Sequence, residues 1–488
     1  MFTLFAMWLP ATTFASSIHS KEVTSAAESA LGVLSLQHAI ELASANDPWL
    51  KRSQFEQQAS LARSVAAASL PDPSLSISLA NLPTDGLAFN QEPMTQLKVG
   101  LSQTLARGDS LNIKREQLEA VAAQQPFLRL NRKASVAVQV SHFYLDAMLA
   151  KMSIALIEQD RALFEQLGDI AQSAYASAIG ATRQQDVLRA ELELVRIEDK
   201  LLALKANQAN AMARLNEWLA PDMQNAEHVY ELNQQSATDL RHAFYQSPPW
   251  ILPEALPKVS VTTLASFLGH QGQHKNLDNE AIIALVRQRD QSPLIEFISS
   301  HPLVLGIEQN ILAQQNEVAL AKEQYKPQWA VNASYAHRDD DDIGRSRADF
   351  LSIGLSVDLP LFQQNRQDQS YKAAVNQAEA SKTQKRLALR NMLAKIHASY
   401  ANYERLLQRQ ALYRTRFIVQ SEQEAEASLS AYTNDEGDFT EVVQARIGLL
   451  NAKLDALNIE FELNKTKMQL GYYFVQAASF SHQQELQP

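Results

Sequence analysis

The chain has 488 residues, of which 14 are glycine and 17 proline, about 6% together against an average nearer 12%; this excludes a turn-dense all-β protein, a collagen and a Pro/Gly-rich disordered chain. A composition 46% hydrophobic and 20% charged supports a large buried core, so helix in long uninterrupted pieces is the first expectation. With 44 Lys+Arg against 54 Asp+Glu the net charge is −10, and no long basic run interrupts it, which argues against a nucleic-acid partner; the lack of cysteine excludes disulfides, thiolate metal sites and cysteine nucleophiles.

Phe2 to Ala15 form a short apolar stretch (FTLFAMWLPATTFA) ending in Thr13-Phe14-Ala15. Small residues at the two positions a signal peptidase reads predict a secretory signal over 1–15, cut near Ser16, although the usual basic start is missing. No other apolar run reaches the 18 residues that a transmembrane helix needs. If this chain spans a membrane, it is expected to do so as a barrel.

A first structural repeat is expected over 16–219. Leu75, Ile77 and Leu79 alternate with Ser74, Ser76 and Ser78, and Leu97, Val99 and Leu101 alternate with Lys98, Gly100 and Ser102, which predicts strands at about 74–81 and 96–105. Some 70 residues with helical periodicity and almost no glycine or proline follow. In the return helix Leu188, Leu192, Val195, Leu202, Ala206 and Ala209 read as a coiled-coil seam. The pattern breaks between Tyr175 and Gly180, the expected tip of a helical hairpin at about 175–183. A connector with short elements is expected over 220–290, holding Pro248-Pro249-Trp250, Pro253 and Pro257.

The second repeat, 291–475, restates the first. Pro48, Pro73, Gly100 and Leu105 match Pro302, Pro327, Gly354 and Leu359 at a constant offset of 254 residues, so the chain is a duplicated unit. Trp329, Val331, Ala333 and Tyr335 alternate with Gln328, Asn332 and Ser334, and Leu351, Ile353, Leu355, Val357 and Leu359 with Ser352, Gly354, Ser356 and Asp358, predicting strands at about 328–337 and 349–359. A helix from about Asp368 to Tyr432, roughly 100 Å long, carries Leu393, Ile396, Tyr400, Tyr403 and Leu407. Ile447, Leu450, Leu454, Leu457, Phe461 and Met468 line the return helix, with a polar break at Asn464. The second tip is expected at about 432–438, with glycine ending each first arm in the left-handed conformation at Gly180 and Gly437, and with Asn434 and Asp435 tolerating it too. The polar tail 476–488 is expected to be disordered.

Strands of about ten residues, apolar on one face and small or polar on the other, suit a barrel with lipid outside and water inside. A half-buried soluble sheet shows the same alternation; the secretory start and the Ser, Gly, Asn and Gln of the polar set favour the barrel. Four strands cannot close one, since about eight are the minimum, so the barrel must be shared between identical chains. The loops Asn81 to Met94 and His337 to Arg347 would then face outward, and the helices would reach through the periplasm.

In its duplicated strand-strand-long-helix plan, the starts Asn46-Asp47-Pro48 and Ser300-His301-Pro302, and Tyr-x4-Gly followed by Gly180 to Ala190 (GATRQQDVLRA) and Gly437 to Ala445 (GDFTEVVQA), the chain resembles the TolC-type outer-membrane efflux proteins over essentially its whole mature length. The resemblance implies a mainly α fold with a β-barrel part: a homotrimer with a twelve-stranded barrel in outer-membrane lipid and a long periplasmic coiled-coil α-barrel. It also implies docking to a periplasmic adaptor protein and an inner-membrane RND-type pump. Leu70-Pro71-Asp72-Pro73 with Asn81-Leu82-Pro83 and Val99 to Gln103 (VGLSQ), and Leu359 to Phe362 (LPLF) with Asn365, resemble the heavy-metal (copper, silver, cobalt-zinc-cadmium) branch. The chain departs from that branch at Arg107-Gly108-Asp109, where relatives tend to carry Gly-Lys, and in having no cysteine for the lipid that many members bear.

The resemblance places acidic side chains at a narrow periplasmic entrance, where they favour cations, and Asp186 and Glu441 are the candidates; a solvated helix face is the plainer reading of both. Tyr175, Gly180, Tyr432 and Gly437 are expected to dock the adaptor or shape the turn. Asp339 to Asp342 read as a solvated loop, His270 and His274 are separated by Gly272-Gln273 rather than set on a helix, and Arg107-Gly108-Asp109 reads as a turn. No nucleophile elbow, phosphate loop or metal-ligand cluster is visible, so no enzyme, cofactor or resident metal is expected. The expected function is a passive exit duct. A polypeptide exit duct of a type I secretion system uses the same architecture, and a periplasmic adaptor would show one hairpin and a Gly-rich lipoyl-like module rather than two hairpins.

Overall fold

Each repeat enters its first long helix through a proline. In the computed structural model, which describes residues 33–176, 184–220, 250–268, 279–341, 343–434 and 436–477, α1 (Leu36–Asn46) and α2 (Pro48–Ala67) precede β1 (Ser74–Ala80), β2 (Gln96–Thr104), α3 (Ser110–Ala176) and α4 (Gln184–Leu219). The short helices α5 (Thr263–Phe267), α6 (Asn279–Arg287) and α7 (Ser292–Ser299) follow, then α8 (Pro302–Glu323), β3 (Gln328–His337), β4 (Phe350–Asp358) and α9 (Gln367–Leu412). A π turn at Tyr413–Phe417, α10 (Ile418–Thr433) and α11 (Phe439–Tyr473) complete the described chain. The structure is mostly helical, and its strands lie on the segments of period-two alternation. The starts of α2 and α8, of β1 and β3, and of β2 and β4 are each 254 residues apart. The expected signal over 1–15, the turn 177–183 with Gly180, most of the connector including His270 and His274, Asp342, Asp435 and all but the first two residues of the tail lie outside the described residues.

The chain forms two compact units, each assembled from separated stretches: 48–134, 270–400 and 472–488 make one, and 1–47, 135–269 and 401–471 the other. The first unit carries the sheet, an antiparallel meander in the order β1-β2-β3-β4. Its register sets Leu75, Leu101, Ala333 and Ile353 in one row and Ile77, Val99, Tyr335 and Leu351 in the next, while Ser76, Gly100, Ser334 and Ser352 share a row of the other face. Period-two alternation has thus sorted the side chains into one apolar and one polar face. The large apolar side chains of these strands are exposed, Ile353 by 76%, and neither β1 nor β4 has a partner on its outer edge among the described residues.

Arg107-Gly108-Asp109 is the elbow from β2 into α3, and it binds the turn from α8 into β3 and the end of β4. The Arg107 guanidinium pairs with Asp358 and donates to Gln324 O at 3.2 Å; the Asp109 N–H donates to Glu323 Oε2 at 3.0 Å. Gly108 has φ +49°, a left-handed conformation that favours glycine, and a Cβ there would meet only the flexible ends of Glu323 and Lys326. The helices of this unit meet through small residues. Ser53, Ser60 and Ser64 form the buried stripe of α2, with Ser53 Oγ donating to Gln125 at 2.8 Å, and a Cβ on Gly306 of α8 would meet Leu128 at 3.4 Å. Pro126 lies inside α3, where a missing N–H and a ring clash cost about 3 kcal/mol in isolation that tertiary packing overrides.

The second unit is a helical assembly. Ile154, Ile157, Phe164, Ile197, Leu201 and Leu450 form one core cluster. Leu450, Phe461 and Met468 of the expected α11 seam are buried, and so is the polar break Asn464. Asn46 caps the far end of the hairpin, its amide donating to Leu219 O at 2.8 Å. The expected seam of α4 is corrected: the chain's own packing buries Asp186, Ala190, Glu193, Ile197 and Leu201, whereas Leu188, Leu192, Val195 and Leu202 are exposed, Leu202 by 62%. α4 carries two apolar stripes, and periodicity alone does not say which one the same chain covers. The helix expected from Asp368 to Tyr432 is likewise interrupted, by the π turn, which borders a groove of about 520 Å³ with Arg414, Ile418 and Glu460 among its lining.

His301 is fully buried in the sheet-bearing unit. Its Nδ1 accepts from the Leu303 N–H at 3.1 Å, which caps α8, and its Nε2 faces Tyr472 O at 3.0 Å, so the neutral ring must donate from Nε2. Burial pushes the imidazole down to about 4. Because the folded value lies below the ordinary 6.5, the unfolded chain takes up this proton first; the contribution is complete above about pH 6.5 and is lost as pH falls toward 4. Over that window the wild type is expected to lose up to roughly 3 kcal/mol more stability than His301→Asn, whose side chain still caps the helix. Equal slopes in pH-dependent denaturation of the two proteins would refute this account.

Candidate functional site

The residues proposed for docking or gating, Gly180 apart, lie near the helix ends that flank the two hairpin turns. α10 ends at Thr433, and beyond it the Glu436 N–H donates to Ala431 O at 2.9 Å, the six-residue closing bond of a Schellman-type helix end. Gly437 follows, outside the left-handed region, so the expected left-handed ending at this glycine is corrected; what demands glycine is proximity, since a Cβ would lie 3.0 Å from both Ala431 Cβ and Tyr432 N. Asn434 is not left-handed either, with φ −94°. Asp438 then starts α11, its carboxylate accepting from the Thr440 N–H at 3.1 Å, an N-cap arrangement that satisfies one orphan amide.

Phe439 anchors the tip. It is 1% exposed, packs with Leu167, Ala171, Ala190, Val442 and Val443, and meets Tyr432 edge-to-face with ring centroids 5.5 Å apart. The N-terminal parts of α4 and α11 are tied directly, since Arg189 donates to the Thr440 hydroxyl. Neither Phe439 nor this link was singled out from the sequence; the only signal was an aromatic residue immediately after the helix cap, in the acidic-aliphatic turn that follows Gly437.

The six expected residues therefore have different surroundings. Asp186 lies in the first turn of α4 and is 9% exposed, on the packed stripe; Glu441 lies in the first turn of α11 and is exposed. Both positions favour a carboxylate through the helix dipole, by about 0.3–1 kcal/mol, a structural role independent of any ion path. Tyr432 is half-buried against Phe439, whereas Tyr175 is 51% exposed near the end of α3. Gly180 lies outside the described residues. Among the described residues no three His, Cys, Asp or Glu side chains group to hold a metal ion.

No family model and no curated protein matches the chain. Solved structures do match. The outer-membrane protein VceC from the bacterial pathogen Vibrio cholerae aligns with a TM-score of 0.68 and 12% identity over 90% of this chain and 96% of that one. The outer-membrane channel OprN aligns with a TM-score of 0.67 and 14% identity, covering 91% and 90%; CusC, described for its transmembrane channel formation, aligns with 0.65 and 12%, covering 91% and 92%. The chain thus has the fold of outer-membrane channels along nearly its whole length.

Replacing Phe439 with Ala is expected to cost about 3–5 kcal/mol of local stability, seen as accelerated amide exchange and proteolysis at the start of α11, with the protection of α8 unchanged. Protection at the α11 start equal to wild type would show that the tip is held by something else.

Proposed function

We propose that this protein is the passive outer-membrane exit duct of a tripartite efflux system, working as a homotrimer. The observation that carries the reading is the sheet: four strands with two unpaired edges, and one face of exposed large apolar side chains. Water is a poor environment for that face and lipid a good one, but lipid supplies no hydrogen bonds for an open edge. Pairing β4 of one copy with β1 of the next resolves both demands, and three copies of four strands make a closed twelve-stranded barrel. The exposed stripe Leu188, Leu192, Val195 and Leu202 supports the same assembly, since its heptad-like spacing suits a neighbouring helix.

In this reading residues 1–15 direct secretion, the chain lies in outer-membrane lipid with a periplasmic helical extension, and it docks to a periplasmic adaptor and an inner-membrane RND-type pump. Tyr175, Gly180, Tyr432 and Gly437 shape the docking tips, and Asp186 and Glu441 make the entrance favour cations. The heavy-metal branch motifs support metal cations as cargo. The chemistry of transport is delegated to the pump, and the duct contributes a path and a charge pattern.

Protein extracted in detergent is expected to run as a trimer and to conduct ions in planar bilayers, and a monomer that stays soluble without detergent would overturn the reading. Asp186→Asn with Glu441→Gln is expected to lower the cation-to-anion permeability ratio about two-fold at low salt. An unchanged reversal potential would remove these two residues from the conduction path.

A further inference from the structure

The polar face of the sheet carries one uncompensated cation. Along the strands this face presents serine, threonine, glycine, alanine, asparagine and glutamine at alternate positions, with three exceptions: Lys98, Phe350 and Asp358. Asp358, at the helix end of β4, is neutralised by Arg107. Lys98, near the loop end of β2, is exposed, sits between Ser78 and Ala336 in the register, and its ammonium has no hydrogen bond or ion pair among the described residues.

On the wall itself nothing among the described residues pairs with this charge, whereas the adjoining loops are acidic: Asp85, Glu92, Asp339 to Asp342 and Asp349 outnumber Arg338, Arg345 and Arg347. Arg338, just past the end of β3, has the same sign; its guanidinium lies 4.0 Å from the Phe350 ring centroid and donates to Ala348 O and Pro93 O. Asp349 is engaged by Tyr335, His337 and the Arg338 N–H. Asp341 accepts the Ile343 and Arg345 amides within the loop.

We propose that Lys98 opposes the acidic loops and lowers the preference of the loop end of the lumen for small cations, opposite in effect to the acidic tips. The inference rests on the trimeric-duct reading, which turns one lysine into a ring of three. A lysine ammonium is a compact, hydrated charge on a flexible stem, and rings of charged side chains set the selectivity of pores. In a wide lumen the ring acts through water, so its reach is the Debye length: about 10 Å at 0.1 M salt, about 30 Å at 0.01 M and about 3 Å at 1 M. The selectivity it confers must therefore grow as salt is diluted and vanish in concentrated salt. A lysine outside the lumen would show no such dependence.

The test is reversal-potential measurement on the full-length protein in planar bilayers under KCl gradients centred near 0.03, 0.1 and 1 M. Lys98→Gln is expected to raise the potassium-to-chloride permeability ratio about two-fold at the lowest salt, and Lys98→Glu to raise it further, with both effects disappearing at 1 M. These shifts run opposite to those of the tip variants. If the wild type forms no channels, the duct reading itself fails. If it conducts and both Lys98 variants reverse at the wild-type potential at every salt, the duct stands and the role given to Lys98 is overturned. Lys98 is exposed and makes no contact that folding requires, so a variant that does not assemble would also count against its being a lumen residue.

Discussion

The constraint on which the rest depends is the unsatisfied backbone along the outer edges of β1 and β4. A two-edged sheet with an apolar face can neither stay in water nor enter lipid alone, because each unpaired N–H or C=O carried into hydrocarbon costs several kcal/mol. Natural sheets blunt such edges with charge, proline, bulges or covering elements. Here β1 (SLSISLA) and β4 (FLSIGLSVD) have no proline, and β4 has a single charge, at its last residue. Edges so undefended are consistent with strands meant to be paired by another chain.

The duplication solves a related problem of reuse. Proline at the first position of α2 and α8 presets the entry dihedral without wasting a hydrogen bond, and the preceding residues, Asp47 and His301, are both buried. The two repeats nonetheless finish the job differently. Asn46 reaches the end of α4, whereas the ring of His301 reaches the end of α11. The duty of tying one helix to the end of another has moved by one position as well as changing its chemistry, since the 254-residue offset matches Asn46 to Ser300 and Asp47 to His301.

Strand position and phase were legible in the sequence because alternation is local: Leu75, Ile77 and Leu79 need only their neighbours to be sorted. The helices were legible as helices but not as surfaces. α4 offers one stripe through Ala190, Ile197 and Leu201 and another through Leu188, Val195 and Leu202, and only tertiary packing decides which lies inside the chain. The tips were the least legible. Tyr175 and Tyr432 stand at matching places, yet only Tyr432 has Phe439 beside it, and the need for glycine at 437 comes from Ala431 and Tyr432 pressing on it rather than from a backbone angle. The π turn had no signature, since Tyr413 to Phe417 contains no glycine or proline.

That turn has a consequence for timing along the helix. A straight α-helix drifts by about 20° per heptad relative to a seven-residue repeat, so over the 46 residues of α9 a contact stripe slides by well over a quarter turn around the cylinder. One residue added in a π turn rotates everything downstream by about 100°. Tyr413–Phe417 therefore marks a change of register: Leu406 and Tyr413 pack seven residues apart leading into it, and Ala425 and Tyr432 pack seven residues apart beyond it, one residue later than the earlier spacing would place them. The wider turn absorbs one extra residue, so the helix keeps its face toward its neighbours while the sequence pattern moves on by one position.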